Sequence, residues 1–183
     1  PHRALLNDIN PHLINFYRWL RHGLVISETE LENDEQVYYR NRRRFNELVA
    51  TVEYECKEAA ELFYYLNRTG FNGLCRFNQR GKFNVPFGRH RIRYRRDLRV
   101  YVEQLAGWEF TAGDFAAAGV KADDLIYADP PYDVPFTSYC PGGFDWEEQV
   151  RLAHWLKAHP GPVIASNQAT ERIVKLYTDL GFH

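Results

Sequence analysis

Four residues carry the clearest chemistry in the chain: Asp129-Pro130-Pro131-Tyr132, which follow the apolar run Leu125-Ile126-Tyr127-Ala128. The tetrapeptide arises by chance in roughly one chain per thousand of this length. The run before it reads as a strand, so the acid stands at a strand's carboxyl end. Asp129 offers a carboxylate acceptor. Pro130 lacks an N–H, but its carbonyl accepts. Pro131 holds the residue before it extended, which helps aim that carbonyl. Tyr132 offers a face on which a planar group can stack. This set suits an amino group on an aromatic ring. The lone pair of such a nitrogen is delocalised into the ring. Acceptors aimed at its N–H groups favour a pyramidal nitrogen and free the pair. Acceptors and platform together suit a base turned out of its stack.

Two further acids end predicted strands. Ala4-Leu5-Leu6-Asn7 reads as a short strand ending at Asp8, and Trp108–Thr111 as a strand ending at Gly113-Asp114-Phe115. Any one of these acids alone is as easily a cap or a turn residue. Three at strand ends point to a ligand at the carboxyl edge of an α/β sheet.

The elements that must position them follow from periodicity. Residues 11–20 read as a helix, with Pro11 in its first turn and Leu13, Phe16, Tyr17 and Leu20 at helical spacing. Residues 37–48, 56–67 and 98–105 also read as helices. The stretch Ser27-Glu28-Thr29-Glu30 through Asp34-Glu35 reads as a solvated helix start. Thr69–Arg89 alternates polar and apolar residues around Gln79-Arg80-Gly81-Lys82, the pattern of a β-hairpin. Helix 146–159, strand 163–166 and helix 171–180 complete the chain. The fold class is α/β, with an α/β domain split by a helical and hairpin insert.

Composition narrows the class. The chain has 183 residues, 45% hydrophobic and 15% aromatic, enough for one domain with a core. Its net charge of −1 argues for no particular partner. The three cysteines (Cys56, Cys75 and Cys140) have neither disulfide nor zinc spacing, so a reducing compartment is expected. No run is long enough for a membrane helix. There is no Met, and the chain begins at Pro1, so both ends are expected to be cut.

Charge is unevenly placed. Between Arg68 and Arg99 stand ten Lys or Arg and a single acid, Asp97. Most charge runs are solvated faces. This one also carries asparagines, glycines and aromatics on a predicted hairpin, which favours nucleic acid. A two-stranded ribbon fits the major groove, and Arg76, on the first strand, is the candidate reader of a guanine. Arg91, Arg93, Arg95 and Arg96 are expected to add nonspecific attraction. Phe77 and Phe83 are expected to pack the hairpin on the helices.

These stretches resemble the Dam-type, α-group branch of the N6-adenine DNA methyltransferases. Asp129-Pro130-Pro131-Tyr132 is similar to the family's catalytic DPPY motif. Leu66-Asn67-Arg68-Thr69 and Phe71–Asn78, with Gly81–Arg89, resemble its recognition hairpin, and Asn7-Asp8-Ile9-Asn10 with Leu13–Tyr17 its second motif. The resemblance implies a Rossmann-like methyltransferase sheet, formed by 1–20 and 96–183, with a target-recognition subdomain at 21–95. It implies S-adenosylmethionine as methyl donor, S-adenosylhomocysteine as product, no metal, and double-stranded DNA as partner. A monomer in a bacterial or phage-host cytoplasm, associated with the nucleoid, is expected.

By the same resemblance Asp129 and the Pro130 carbonyl would hold the adenine amino group, with Pro131 and Tyr132 completing the catalytic motif. Asp8, Ile9, Asp114, Phe115 and Asp129 would line the cofactor. Leu74, Arg76 and Pro86 would contact bases, with GATC the expected target. Phe71 would wedge into the stack, and Asn72, Asn78, Asn84 and Arg89 would touch phosphates. Phe136, Thr137 and Tyr139 would close over the base. The family's glycine-rich first motif is absent and is expected before Pro1, and its last strands after His183. Two alternatives stand beside this reading. One is amino methylation of cytosine, RNA or a protein glutamine. The other is a DNA-binding relative without catalysis.

Overall fold

The computed structural model describes residues 3–26, 29, 31–90, 92–133 and 143–183. The expected lid residues Phe136, Thr137 and Tyr139 lie outside them, as do Arg91 and the acids Glu28 and Glu30. The chain divides into two compact units, Pro1–Asp114 and Phe115–His183. Both are α/β, and among the described residues the four strands form two parallel pairs, one in each unit.

In the first unit, β1 (Ala4–Asp8) pairs in parallel with β2 (Trp108–Ala112), Leu6 opposite Phe110 and Asp8 opposite Ala112. Helix α1 (Pro11–Arg21) starts where the sequence predicts: Asn10 caps it by accepting from the His12 and Leu13 N–H groups at 3.0 and 3.4 Å. Helix α2 (Glu35–Val49) is capped by Asp34, and α3 (Lys57–Thr69) by Cys56. The acidic segment before α2 is not wholly a solvated helix start. Thr29 is buried, and its hydroxyl donates to the buried Glu61 carboxylate at 2.7 Å. The reason is that a buried carboxylate needs donors, and Thr29 supplies two, its hydroxyl and its N–H. The helix expected at 98–105 begins instead as a 3₁₀ turn, Arg99–Tyr101, and becomes α4 only at Val102–Leu105. The Asp97 carboxylate accepts the Arg99 N–H at 3.0 Å and tightens that start.

Helices α1, α2 and α3 enclose an apolar core that includes Ile14, Tyr38, Phe45, Tyr65 and Leu66. The 70–88 ribbon docks on this core. It turns back through antiparallel bridges at Gly70–Phe87 and Phe77–Phe83, not through a continuous ladder. Two causes are visible. Residues Phe71–Gly73 form a 3₁₀ turn, with Asn72 at φ 52°, which interrupts the first strand. The backbone of the second strand is also engaged by α2. Asn46 donates to the Phe83 carbonyl at 3.1 Å and accepts the Phe83 N–H at 2.8 Å. Tyr38 and Arg42 both donate to the Val85 carbonyl, at 2.8 and 2.9 Å.

Phe83 and Val85 are fully buried, and each such burial contributes about 1.5–3 kcal/mol. A ladder hydrogen bond contributes about 1 kcal/mol net. Packing on the helices therefore holds the ribbon, and strand pairing is secondary. Phe77 stacks on the buried His12 ring, centroids 5.1 Å apart. Gly70 is required: a Cβ there would lie 2.7 Å from the Leu66 carbonyl oxygen. At the ribbon's tip Gly81 takes φ +71° and donates its N–H to the Asn78 carbonyl at 2.8 Å.

In the second unit β3 (Ile126–Ala128) pairs in parallel with β4 (Val163–Ala165), Ala128 opposite Ala165. Helix α5 (Trp146–Ala158), capped by Asp145, packs with α6 (Glu171–Asp179), capped by Thr170. Among the described residues of this unit, Leu152, Ala153, Leu156 and Ile173 are the buried apolar ones.

Candidate active site and nucleic-acid interface

The β3 strand ends at Ala128, so Asp129 is the first residue beyond the pairing, as the apolar run predicts. Its neighbour across the sheet is Ser166. The Ser166 N–H donates to the Ala128 carbonyl at 2.9 Å, which carries the parallel register one step past the strands. Register partners in a parallel pair project from the same face. The Ser166 hydroxyl accordingly donates to Asp129 Oδ1 at 2.5 Å.

The two prolines differ in what their carbonyls do. Gln149, buried in α5, donates through Nε2 to the Pro131 carbonyl at 2.7 Å. Its Oε1 accepts from Asn167 Nδ2 at 2.9 Å. Asn167 Oδ1 in turn accepts the Asp133 N–H at 3.1 Å and the Gln168 N–H at 2.8 Å. Among the described residues no donor meets the Pro130 carbonyl. The Pro131 carbonyl is thus committed to the fold, while that of Pro130 keeps its accepting capacity.

A second anchor holds the loop's far end. Asp133 is buried and accepts from the Thr170 hydroxyl at 2.8 Å and from Arg172 Nε at 2.6 Å and Nη2. The Arg172 guanidinium holds the Asp133 carboxyl below its ordinary value, and Thr170 adds to this, against the opposing effect of burial. Arg172 also lies over the Trp146 ring, 4.7 Å from its centroid. Between these anchors Asp129 and Tyr132 are exposed, the ring at 40%.

In the first unit Asp8 and Asp114 come to the same end of the β1–β2 pair. The Asp8 carbonyl accepts the Gly113 N–H at 3.0 Å, and Asn7 Nδ2 donates to the Gly113 carbonyl at 3.0 Å. The Asp8 carboxylate is oriented by the Asn10 N–H, 2.7 Å from Oδ1. Burial pushes the Asp8 carboxyl up from its ordinary value, and the Asn10 bond partly offsets this. Ile9, 57% exposed, stands beside it. Asp114 is exposed. In the second unit the Phe115 ring is half-buried, edge-on to Trp155 at 5.3 Å, with Arg151 4.1 Å above it.

On the ribbon, Arg76 Nε donates to Asn84 Oδ1 at 2.8 Å. Its Nη2 also donates to the Asn84 main-chain carbonyl, at 3.5 Å, so Asn84 holds two nitrogens of the guanidinium. Asn78 Oδ1 accepts the Arg80 and Lys82 N–H groups, both at 3.0 Å, and so builds the turn. Phe71 is 47% exposed. Asn72 and Pro86 are exposed, and Leu74 is half-buried. Arg89, at φ 53°, pairs with Glu35 at 3.4 Å.

Sequence reading missed Gln149, Ser166, Asn167, Thr170 and Arg172. One signal was present: Ser166 is the last residue of the predicted strand 163–166, which ends in the structure at Ala165, and Asn167 follows it. Gln149 and Arg172 lie on helices and carry no local signal.

A family model for D12 class N6 adenine-specific DNA methyltransferases matches residues 1–183. The chain belongs to that family. It is 35% identical over 192 residues to the protein named Retron Ec67 DNA adenine methylase of Escherichia coli, covering 98% of this chain and 66% of that one. It is 37% identical over 196 residues to the DNA N-6-adenine-methyltransferase of Escherichia phage P1, covering 97% and 26%. With the DNA adenine methylase of Escherichia coli strain K12 the identity is 36% over 190 residues, covering 92% and 66%. The chain thus spans just under two thirds of the first relative's length and about a quarter of the second's.

Proposed function

We propose that the protein transfers a methyl group from S-adenosylmethionine to adenine N6 in double-stranded DNA, at the sequence GATC. Family membership supports the reaction class. The observation that carries the reading is the state of the Asp129–Tyr132 tip. It combines an exposed carboxylate, a Pro130 carbonyl with accepting capacity and an exposed ring, held by hydrogen bonds from Ser166 to Asp129, from Gln149 to the Pro131 carbonyl and from Arg172 to Asp133.

Asp129 and the Pro130 carbonyl accept the two N–H groups of an extruded adenine, and Tyr132 stacks on its ring. The acceptors bias the nitrogen toward a pyramidal geometry and stabilise the positive charge that develops on it. When bound, the cofactor would supply a methyl group on a cationic sulfur for transfer to the adenine nitrogen, the sulfur keeping the C–S pair. The donor set fits this cofactor. Asp8 presents an oriented carboxylate at a strand tip, suited to a ribose's paired hydroxyls, and Ile9 adds apolar surface. Asp114, in the same unit as Asp8, is the second acid offered to the cofactor. A Rossmann-like methyltransferase sheet formed by 1–20 and 96–183, with target recognition in 21–95, is the division we infer.

Plasmid DNA methylated by the intact gene product, with the modified adenines mapped, tests the assignment. Asp129→Ala is expected to lower methylation by at least about a hundredfold while DNA binding persists. Wild-type methylation by that variant, or modification of another base, rejects it.

A further inference from the structure

We propose that Ser166 is a positioning residue that aims the Asp129 carboxylate; this rests on the methyl-transfer reading above. Three observations converge on it. The parallel register continues past both strands through the Ser166 N–H bond to the Ala128 carbonyl, so Ser166 is held beside Asp129 by main chain. Its hydroxyl donates to Oδ1 of that carboxylate. The next residue, Asn167, is locked by Asp133, Gln168 and Gln149, so the strand end has little freedom to turn away.

The consequence is geometric. A carboxylate on an exposed strand tip rotates about χ1 and χ2 and presents either oxygen. One donor on Oδ1 selects a single orientation and leaves Oδ2 as the acceptor for the substrate N–H. Without that donor the carboxylate still binds base and charge, but samples unproductive directions. Misplacement of a reacting or positioning group by about 1 Å costs on the order of a hundredfold in rate. The loss should fall on the chemical step, since Ser166 itself touches neither DNA nor cofactor in this reading.

The test uses the full-length protein in single-turnover and steady-state methylation of a GATC duplex. Ser166→Ala is expected to lower kcat by roughly ten- to a hundredfold, with KM for DNA and cofactor within about threefold of wild type. Ser166→Thr, which keeps a hydroxyl, is expected to recover most of that loss. Thermal melting of each variant reports folding. An unchanged kcat in a folded Ser166→Ala protein overturns the proposal. So does a loss that Thr fails to restore although the Thr variant folds. The underlying reading has its own control, Asp129→Ala. If that variant methylates normally, the reading has failed; if it is dead and Ser166→Ala is fully active, only the role of Ser166 has failed.

Discussion

Arg76 is aimed before any ligand arrives. Asn84 accepts its Nε–H through Oδ1 and an Nη2 N–H through its main-chain carbonyl, which orients the guanidinium, a fork of the kind that reads guanine O6 and N7. On this basis Arg76→Ala is expected to cost about 1–3 kcal/mol at one guanine and to relax discrimination there. Binding to duplexes substituted at each position of GATC measures it. If all sequences weaken equally, Arg76 is a phosphate clamp and the reader lies elsewhere. Asn84→Ala should produce a smaller loss at the same base pair, because its Oδ1 acts through Arg76. Asn78 has a comparable inward duty, since its Oδ1 closes the turn.

Elements reach their places through contacts that the binary pattern does not specify. The ribbon alternates as predicted, with Phe83 and Val85 inward, yet α2 side chains do much of the pairing expected of its partner strand. Helix α1 meets the same ribbon through His12, whose ring stacks on Phe77 and whose Nδ1 is buried without a hydrogen-bond partner among the described residues. Burial holds its pKa down, from 6.5 to about 4. The sign follows from proton uptake. Above about pH 6.5 the ring is neutral in both states. As pH falls toward 4 the unfolded chain takes up a proton that the folded chain refuses. Stability therefore declines across that window, by up to about 3 kcal/mol. His12→Phe keeps the stacking and removes the titration. Urea midpoints at pH 7 and pH 4.5 should drop less for this variant than for wild type; equal drops would show that His12 is not the source.

At the scale of the whole molecule the net charge of −1 conceals a segregation, because the 68–99 stretch is strongly basic while the rest is acidic. Arg93 and Arg95 are exposed on either side of the half-buried Tyr94. Arg93→Ala is expected to weaken DNA binding about equally on specific and nonspecific duplexes, and to reduce the salt slope of log K by about 1. A salt slope unchanged by that substitution would remove Arg93 from the interface. What the amino-acid order determined unaided is what is encoded locally. Apolar periodicity set most helices and strands to within a residue or two, the capping residues set helix starts, and Asp8 and Asp129 stand at strand ends as the apolar runs before them require. Tertiary structure alone decided what holds Asp129 and the Pro131 carbonyl. Ser166 lies 37 residues from Asp129 and Gln149 lies 18 from Pro131, and no local pattern joins them. They meet because a parallel strand pair and a buried helix face bring distant polar groups into register. Gln149, once buried, needs partners for its amide, and the fold supplies them in the Pro131 carbonyl and Asn167.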